Sequence, residues 1–245
     1  MVRHGGIILA LTLLTQLGGI AWGLALLFRR RFLAFLIAYA ALWGTAQALA
    51  PMTGKVALPC FGAPLRMQSP LYCVMLRNFV TPQLAVVAKD AATVMESETP
   101  GTITLALDGS FPFLTGMPLV PHLSHDDGEK LDFAFYYTDP GGTFLPGKTR
   151  SPLGYFAFEN LPPEACPDNM LTLRWSLSWL QPLWPERPLD APRTTALIAH
   201  LARDPRVAKV FVEPPLAAHL GLDDPKVRFQ GCRAARHDDH IHIQL

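Results

Sequence analysis

An excess of charge of either sign is the first thing the sequence lacks. Its 245 residues carry 21 Lys and Arg against 20 Asp and Glu, a formal net charge of +1. That balance argues against a nucleic-acid partner, because gripping a phosphate backbone calls for a basic field. Acidic residues are missing altogether from the first fifty positions, where the formal charges are Arg3 and the triplet Arg29-Arg30-Arg31. Cysteine is scarce: Cys60, Cys73, Cys166 and Cys232, with no Cys-x-x-Cys pair among them. The missing pair argues against a structural zinc held by four thiolates and leaves disulfides in an oxidising compartment. Sequence does not choose among the possible pairings. The expected one joins Cys60 to Cys73, stapling an early segment, and Cys166 to Cys232, tying a long loop to the residues ahead of the last histidines.

What the first fifty residues have instead is apolar length. From Gly6 to Phe28 the polar exceptions are Thr12, Thr15 and Gln16; from Phe32 to Ala50 they are Thr45 and Gln47. Each run is long enough, at helical rise, to cross the hydrocarbon core of a bilayer. A transmembrane hairpin is therefore expected over residues 1–51, with Trp22, Tyr39 and Trp43 near the interfaces. The positive-inside rule keeps the Arg triplet cytoplasmic and puts everything after Pro51 on the other side. A cleaved signal peptide is the rival, since Ala48-Leu49-Ala50 has small residues at the right spacing. Pro51 follows directly, however, and a signal carries one shorter apolar run where this chain has two. Retention is expected.

Residues 52–80 show few periodic signals and read as an ordered linker to a domain over 81–245. Thr81-Pro82 opens a helix, with Thr as N-cap and Pro at the first helical position. Leu84, Val87, Ala88, Ala91 and Val94 share a face, and Pro100-Gly101 stops the helix after Glu98. A second helix runs from Ala191 to Arg203. Strands are expected at Thr102–Leu107, Leu131–Tyr137, Val207–Glu213, Val227–Phe229 and Asp239–Leu245. Stretches 139–152 and 159–168 are loops of the kind that wall a groove. Trp175, Trp179 and Trp184 read as core, and His200 and His219 as ordinary helix residues. Helices and strands that do not strictly alternate make the fold class α+β.

Two stretches carry chemistry. The first is His122-Leu-Ser-His125-Asp-Asp-Gly128-Glu-Lys-Leu-Asp132; the second is His237-Asp-Asp-His240-Ile-His242. Together they offer the nitrogen and carboxylate ligands a catalytic zinc uses, three protein groups with the fourth position left to water. Asp126-Asp127-Gly128 is turn chemistry that brings His125 and Asp132 together. On a strand, His240 and His242 point to one face, so that one can bind metal while the other stands beside the attacking water.

Ser124-His125-x-x-Gly128-x-x-x-Asp132, followed much later by His240-x-His242, resembles the LAS metallopeptidases: the lysostaphin-type enzymes, the D-Ala-D-Ala peptidases and the hedgehog signalling domain. The fuller form, with His122 and His237, is most similar to the penicillin-insensitive murein endopeptidases, as is Asp204-Pro205-Arg206-Val207 with Phe211. The resemblance implies an α+β domain around an antiparallel sheet and zinc held by His125, Asp132 and His242. It implies His240 as the general base and acid, with His122 and His237 as supporting residues or an additional ligand. Asp238 and Asp239 are candidates to orient the imidazoles. The implied substrate is the peptide cross-link of peptidoglycan, met by a catalytic domain in the periplasm and anchored in the bacterial inner membrane. The chain departs from the family in Leu131, which replaces a small residue, in the apolar N-terminal region, and between Asp139 and Ala191, where little matches. Two other readings stay open. One is a D,D-carboxypeptidase, which needs a cation such as Arg233 or Arg236 for a terminal carboxylate. The other is a non-catalytic zinc-containing domain that binds wall peptides or a partner, against which the intact His240 argues.

Overall fold

The computed structural model describes residues 2–159, 161, 166, 174, 175 and 177–245; most of the loop expected over 159–168 lies outside them. The chain opens with α1 (Val2–Thr15) and α2 (Gly18–Ala25). The expected single helix over the first apolar run is broken at Gln16, whose φ is +62°. Gln16 is buried: its Oε1 accepts the N–H of Phe113 at 2.9 Å, and its Nε2 lies 3.5 Å from Met117 Sδ. α2 then folds back along α1. A Cβ on Gly19 would fall 1.9 Å from Thr12 Oγ1, and one on Gly18 would fall 2.6 Å from Thr15 Oγ1, so this crossing requires glycine. At helical rise α1 is about 21 Å long, short of a ~30 Å hydrocarbon core. α3 (Arg31–Leu49) runs on into a 3-10 turn over Ala50–Thr53. Among the described residues one helix, Arg31–Thr53, is long and apolar enough to cross a membrane.

The stretch read as a linker is built into the globular part. It holds β1 (Val56–Ala57), β2 (Leu65–Met67), α4 (Pro70–Val74) and β3 (Phe79–Val80), with β1 paired to β3 and the Cys60–Cys73 disulfide bracing the segment between. The Cys166–Cys232 disulfide forms as well. α5 (Pro82–Glu98) starts where its sequence signals put it, with Thr81 Oγ1 accepting the N–H of Leu84. Its buried face is Leu84, Val87, Ala88, Ala91, Ala92 and Met95. β4 (Thr104–Ala106) and β5 (Lys130–Ala134) follow, then α6 (Ala191–Arg203), β6 (Lys209–Phe211), α7 (Pro214–His219), β7 (Val227–Arg228) and β8 (His240–Gln244).

The main sheet has six strands in the order β2-β4-β5-β8-β6-β7. Its centre is antiparallel, as expected, but both edge pairs, β2–β4 and β6–β7, are parallel. A helix lies between the partners of each parallel pair, α5 in one and α7 in the other, as a parallel connection requires. Leu131 and Phe133 of β5 stand beside Ile243 and Ile241 of β8, and these four pack into one core with Leu84, Val87, Leu197, Ile198 and Leu201 of α5 and α6. Side chains alternate across a strand. The opposite face of β5 and β8 therefore carries Asp132, His240 and His242.

β5 stops at Ala134, earlier than its aromatic pattern suggests. Tyr136 leaves the ladder to take Thr194 Oγ1 as acceptor for its N–H, and Tyr137 bridges to Leu189. Trp175 and Trp179, read as core, are exposed, and Trp184 is half-buried.

Candidate metal centre

Asp132 and His242 are direct cross-strand partners in the β5–β8 ladder, and His240 faces Ala134 one step along. The turn ahead of β5 supplies His125. Gly128 adopts φ +89° and its carbonyl accepts the N–H of Thr81 at 2.9 Å, while Asp127 caps the N–H of Glu129 and pairs with Lys130. Three donor atoms from these elements converge. His242 Nδ1 lies 2.8 Å from Asp132 Oδ1, His125 Nε2 lies 3.2 Å from the same oxygen, and the two nitrogens are 3.0 Å apart. All three side chains are buried. His125 donates from Nδ1 to the carbonyl of Gly109 at 2.9 Å, which turns a bare Nε2 toward the centre; such a second hydrogen bond is how metal-binding imidazoles are held. Two nitrogen lone pairs and a carboxylate crowded together away from water can be satisfied jointly by a cation, and His125, Asp132 and His242 could hold a metal ion. A second group, His122, Asp132 and His240, gathers around the other carboxylate oxygen and could hold a metal ion as well. There the spacing is looser: Asp132 Oδ2 is 3.4 Å from His122 Nδ1 and 3.7 Å from His240 Nε2.

Charge separates the imidazoles. Burial opposes a proton on His240, but the carboxylates of Asp132 and Asp239 outweigh it and lift its pKa to about 9. Asp239 Oδ1 accepts from His240 Nδ1 at 2.5 Å, so Nε2 faces the centre, buried and with no hydrogen-bond partner. Burial pushes His242 down to about 4 against the pull of Asp132. It pushes His237 down too, helped by the neighbouring His240 and His242. For His125, Asp132 overcomes burial and raises the pKa. Asp132 itself is held well below the carboxylate range: burial works against its charge, and His125 and His240 more than compensate.

Of the remaining residues singled out by sequence, His122 joins the centre by donating from Nδ1 to Asp108 at 2.9 Å. His237 packs its ring 4.9 Å from that of His240, and its N–H is held by Glu213 at 3.0 Å; it belongs to neither metal-capable group. Asp239 orients an imidazole as expected. Asp238 instead pairs with Arg236, although burial first and then its acidic neighbours raise its pKa to about 6.

Sequence reasoning missed Arg77, Asp108, Tyr155 and Glu213. Arg77 forms a bidentate pair with Asp108, at 2.6 and 2.7 Å, and also donates to the carbonyl of Val120 just ahead of His122. Tyr155 donates to Asp132 Oδ2 at 2.7 Å and accepts the N–H of Asp108 at 3.1 Å. Beside it, Phe156 has φ +66°, a left-handed conformation costly for a bulky side chain, and its N–H is taken by Asp239. A signal for the first two exists. Arg77 is the one formal charge between Arg66 and Lys89, and Asp108 the one between Glu98 and Asp126. Lone charges in apolar stretches are buried only when they find each other.

Two hollows flank the centre and share Pro121, His122 and Ala235. One, of about 200 Å³, reaches His125, His237 and His242; the other is lined by Tyr155, Phe156, Trp175, Asp239 and His240. Trp175 thus stands at a groove wall. Compared with models of known protein families and with curated proteins, the chain matches none.

Proposed function

We propose that this chain is a membrane-anchored zinc metallopeptidase of the LAS type that hydrolyses peptide cross-links of peptidoglycan. The observation that carries the reading is the convergence of His125 Nε2, Asp132 Oδ1 and His242 Nδ1, with the unpartnered His240 Nε2 beside them. His125, Asp132 and His242 are the residues that would hold zinc. Zinc bound by such a set supplies two things, acidification of water and polarisation of the scissile carbonyl. The chain's own groups do the rest. His240, whose Nε2 lies beside the centre with no hydrogen-bond partner, would be the group that takes a proton from the attacking water. It then gives that proton to the amine leaving the cleaved peptide bond. Asp239, on Nδ1, keeps the ring in place through both transfers. Tyr155 and the Arg77–Asp108–His122 chain hold the second oxygen of Asp132 and the His122 ring.

The larger hollow, about 200 Å³ on the His125–His242 side, gives a peptide chain room beside the centre, whereas the one beside His240, about 20 Å³, holds little more than a water. A carboxypeptidase needs a cation for a chain terminus; Arg236 already engages Asp238 through Nε and Nη2 while stacking 3.9 Å over Phe158, which leaves the exposed Arg233 as that reading's candidate. α3 is the anchor in this reading. Arg29-Arg30-Arg31 stays in the cytoplasm, the metal centre faces the periplasm of a bacterial inner membrane, and the two disulfides fit that oxidising side.

The test uses purified full-length chain, cross-linked muropeptide dimers and uncross-linked pentapeptide monomers, with and without a chelator. Dimers should become monomers in a chelator-sensitive reaction, with terminal D-Ala left in place. Release of free D-Ala with dimers untouched would overturn the endopeptidase assignment.

A further inference from the structure

α3 cannot both cross a bilayer and stay clear of the globular part. Tyr39 donates from its hydroxyl to the carbonyl of Val74 at 2.6 Å, and Trp43 donates from Nε1 to the carbonyl of Cys73 at 2.8 Å. Farther along, Ala46 and Ala50 pack with Leu17, Leu76 and Phe79. From Arg31 to Tyr39 the helix advances about 12 Å, far short of a ~30 Å hydrocarbon core, whereas Arg31 to Leu49 covers about 27 Å. If α3 crosses, the elements bonded to its second half enter the membrane with it.

Those elements have the chemistry to do so. α4 turns Tyr72 and Cys73 inward and leaves Leu71 and Val74 exposed, three residues apart on one face. No charged residue occurs from Met67 to Leu76. The last carbonyls of a helix are ordinarily left to water, and in hydrocarbon each must find a partner. Here Tyr39 and Trp43 cap the carbonyls of Val74 and Cys73, and Ser69 Oγ accepts the N–H of Leu71 at 3.2 Å. A second element is bonded to the same helical bundle. The loop over 109–121 has no charged residue, is pinned to the bundle through Gln16 and Phe113, and exposes Leu114 and Val120. Phe61, in the turn closed by the Cys60–Cys73 disulfide, is exposed as well. Exposed apolar side chains on uncharged elements that are bonded to a spanning helix suit lipid better than water.

We propose that α4 and the loop over 109–121 are seated in the lipid of the membrane that α3 crosses, which sets the rim of the metal centre at Pro121–Leu123 against the headgroups. This rests on reading α3 as a membrane span. The hollow lined by Pro121, His122 and Leu123 then opens onto peptides held close to the bilayer surface.

All four native cysteines are in disulfides, so a single introduced thiol can carry an environment-sensitive fluorophore. Leu71→Cys and Leu114→Cys report on the seat. Leu36→Cys, on the exposed side of α3, reports on the span. Ser97→Cys, on the last turn of α5, serves as the water-exposed control. Each full-length variant is placed in vesicles of phosphatidylcholine and phosphatidylglycerol, with and without lipid spin-labelled on its acyl chain. The labels at 36, 71 and 114 should be blue-shifted and lose most of their emission to the spin-labelled lipid, while the label at 97 is untouched. Quenching at 36 with either 71 or 114 behaving like 97 would overturn the seat and leave the anchor standing. No quenching at 36 would remove the anchor, and the seat with it.

Discussion

His240 and His242 stand two residues apart on one buried face of β8, and both lean on Asp132, yet their surroundings divide them. His242 shares Oδ1 of that carboxylate with His125 in a closed knot of donors 2.8 to 3.2 Å apart, and burial keeps it neutral, with a pKa near 4. His240 looks toward Oδ2 across a looser 3.7 Å, has Asp239 on its other nitrogen, and is lifted to about 9. One carboxylate thus separates two kinds of chemistry. On the tight side three donor atoms converge closely enough that they could hold a cation. On the loose side an imidazole between two carboxylates holds its proton more tightly than a free one.

Removing what both sides share should have the largest effect. Asp132→Ala should lose its metal and all measurable turnover, and His125→Ala and His242→Ala should lose metal as well. Elemental analysis of the purified proteins reads this directly, and stoichiometric metal in all three would end the assignment. Next comes His240→Ala, which should retain metal and lose about 10²–10⁴-fold in turnover, the usual worth of a general acid–base group. If it loses metal while His242→Ala keeps it, the two sides have been exchanged.

The smallest effect is a pH dependence of stability in chelator-treated protein, and here the two imidazoles have opposite signs. His242 is depressed, so the unfolded chain takes up its proton first, and stability falls as pH drops from 6.5 to about 4. His240 is raised, so its contribution is complete below 6.5 and is lost as pH climbs through about 9. Thermal melts across this range should show both limbs. His242→Asn should reduce the acid limb, to which the depressed His237 also contributes, and His240→Asn the alkaline one, to which the raised His125 adds; identical profiles in the two variants would erase the distinction.

The parts of this arrangement legible in sequence are those with short-range signals. Turn residues at Asp126–Gly128 and the two-residue spacing of His240 and His242 can be read because a turn and a strand convert spacing directly into geometry. Capping made the start of α5 legible for the same reason. Arg77, Asp108 and Tyr155 were not, because each reaches the centre through tertiary folding, and no local pattern ties residue 77 to 108 or 155 to 132. The break at Gln16 was hidden differently. A hydropathy window averages one amide into an apolar run, whereas the fold uses that amide to hold Phe113. The parallel edges of the sheet likewise follow from where α5 and α7 pack, which strand patterns do not encode.

The pairing of Asp132 with His242 also bears on the order in which this molecule can be assembled. His125 and Asp132 leave the ribosome long before β8 exists, and until it does they offer two of the three groups that could hold a metal ion. β8 must then thread between β5 and β6, already separated by α6. A slip of one residue would turn its histidines toward α5 and α6 and bring Ile241 and Ile243 to the polar side. Correct threading and completion of the chelate are therefore a single late event. A bound cation would act as a latch on a strand that enters late, and a chain deprived of metal should show faster amide exchange in β8 than the same chain with metal.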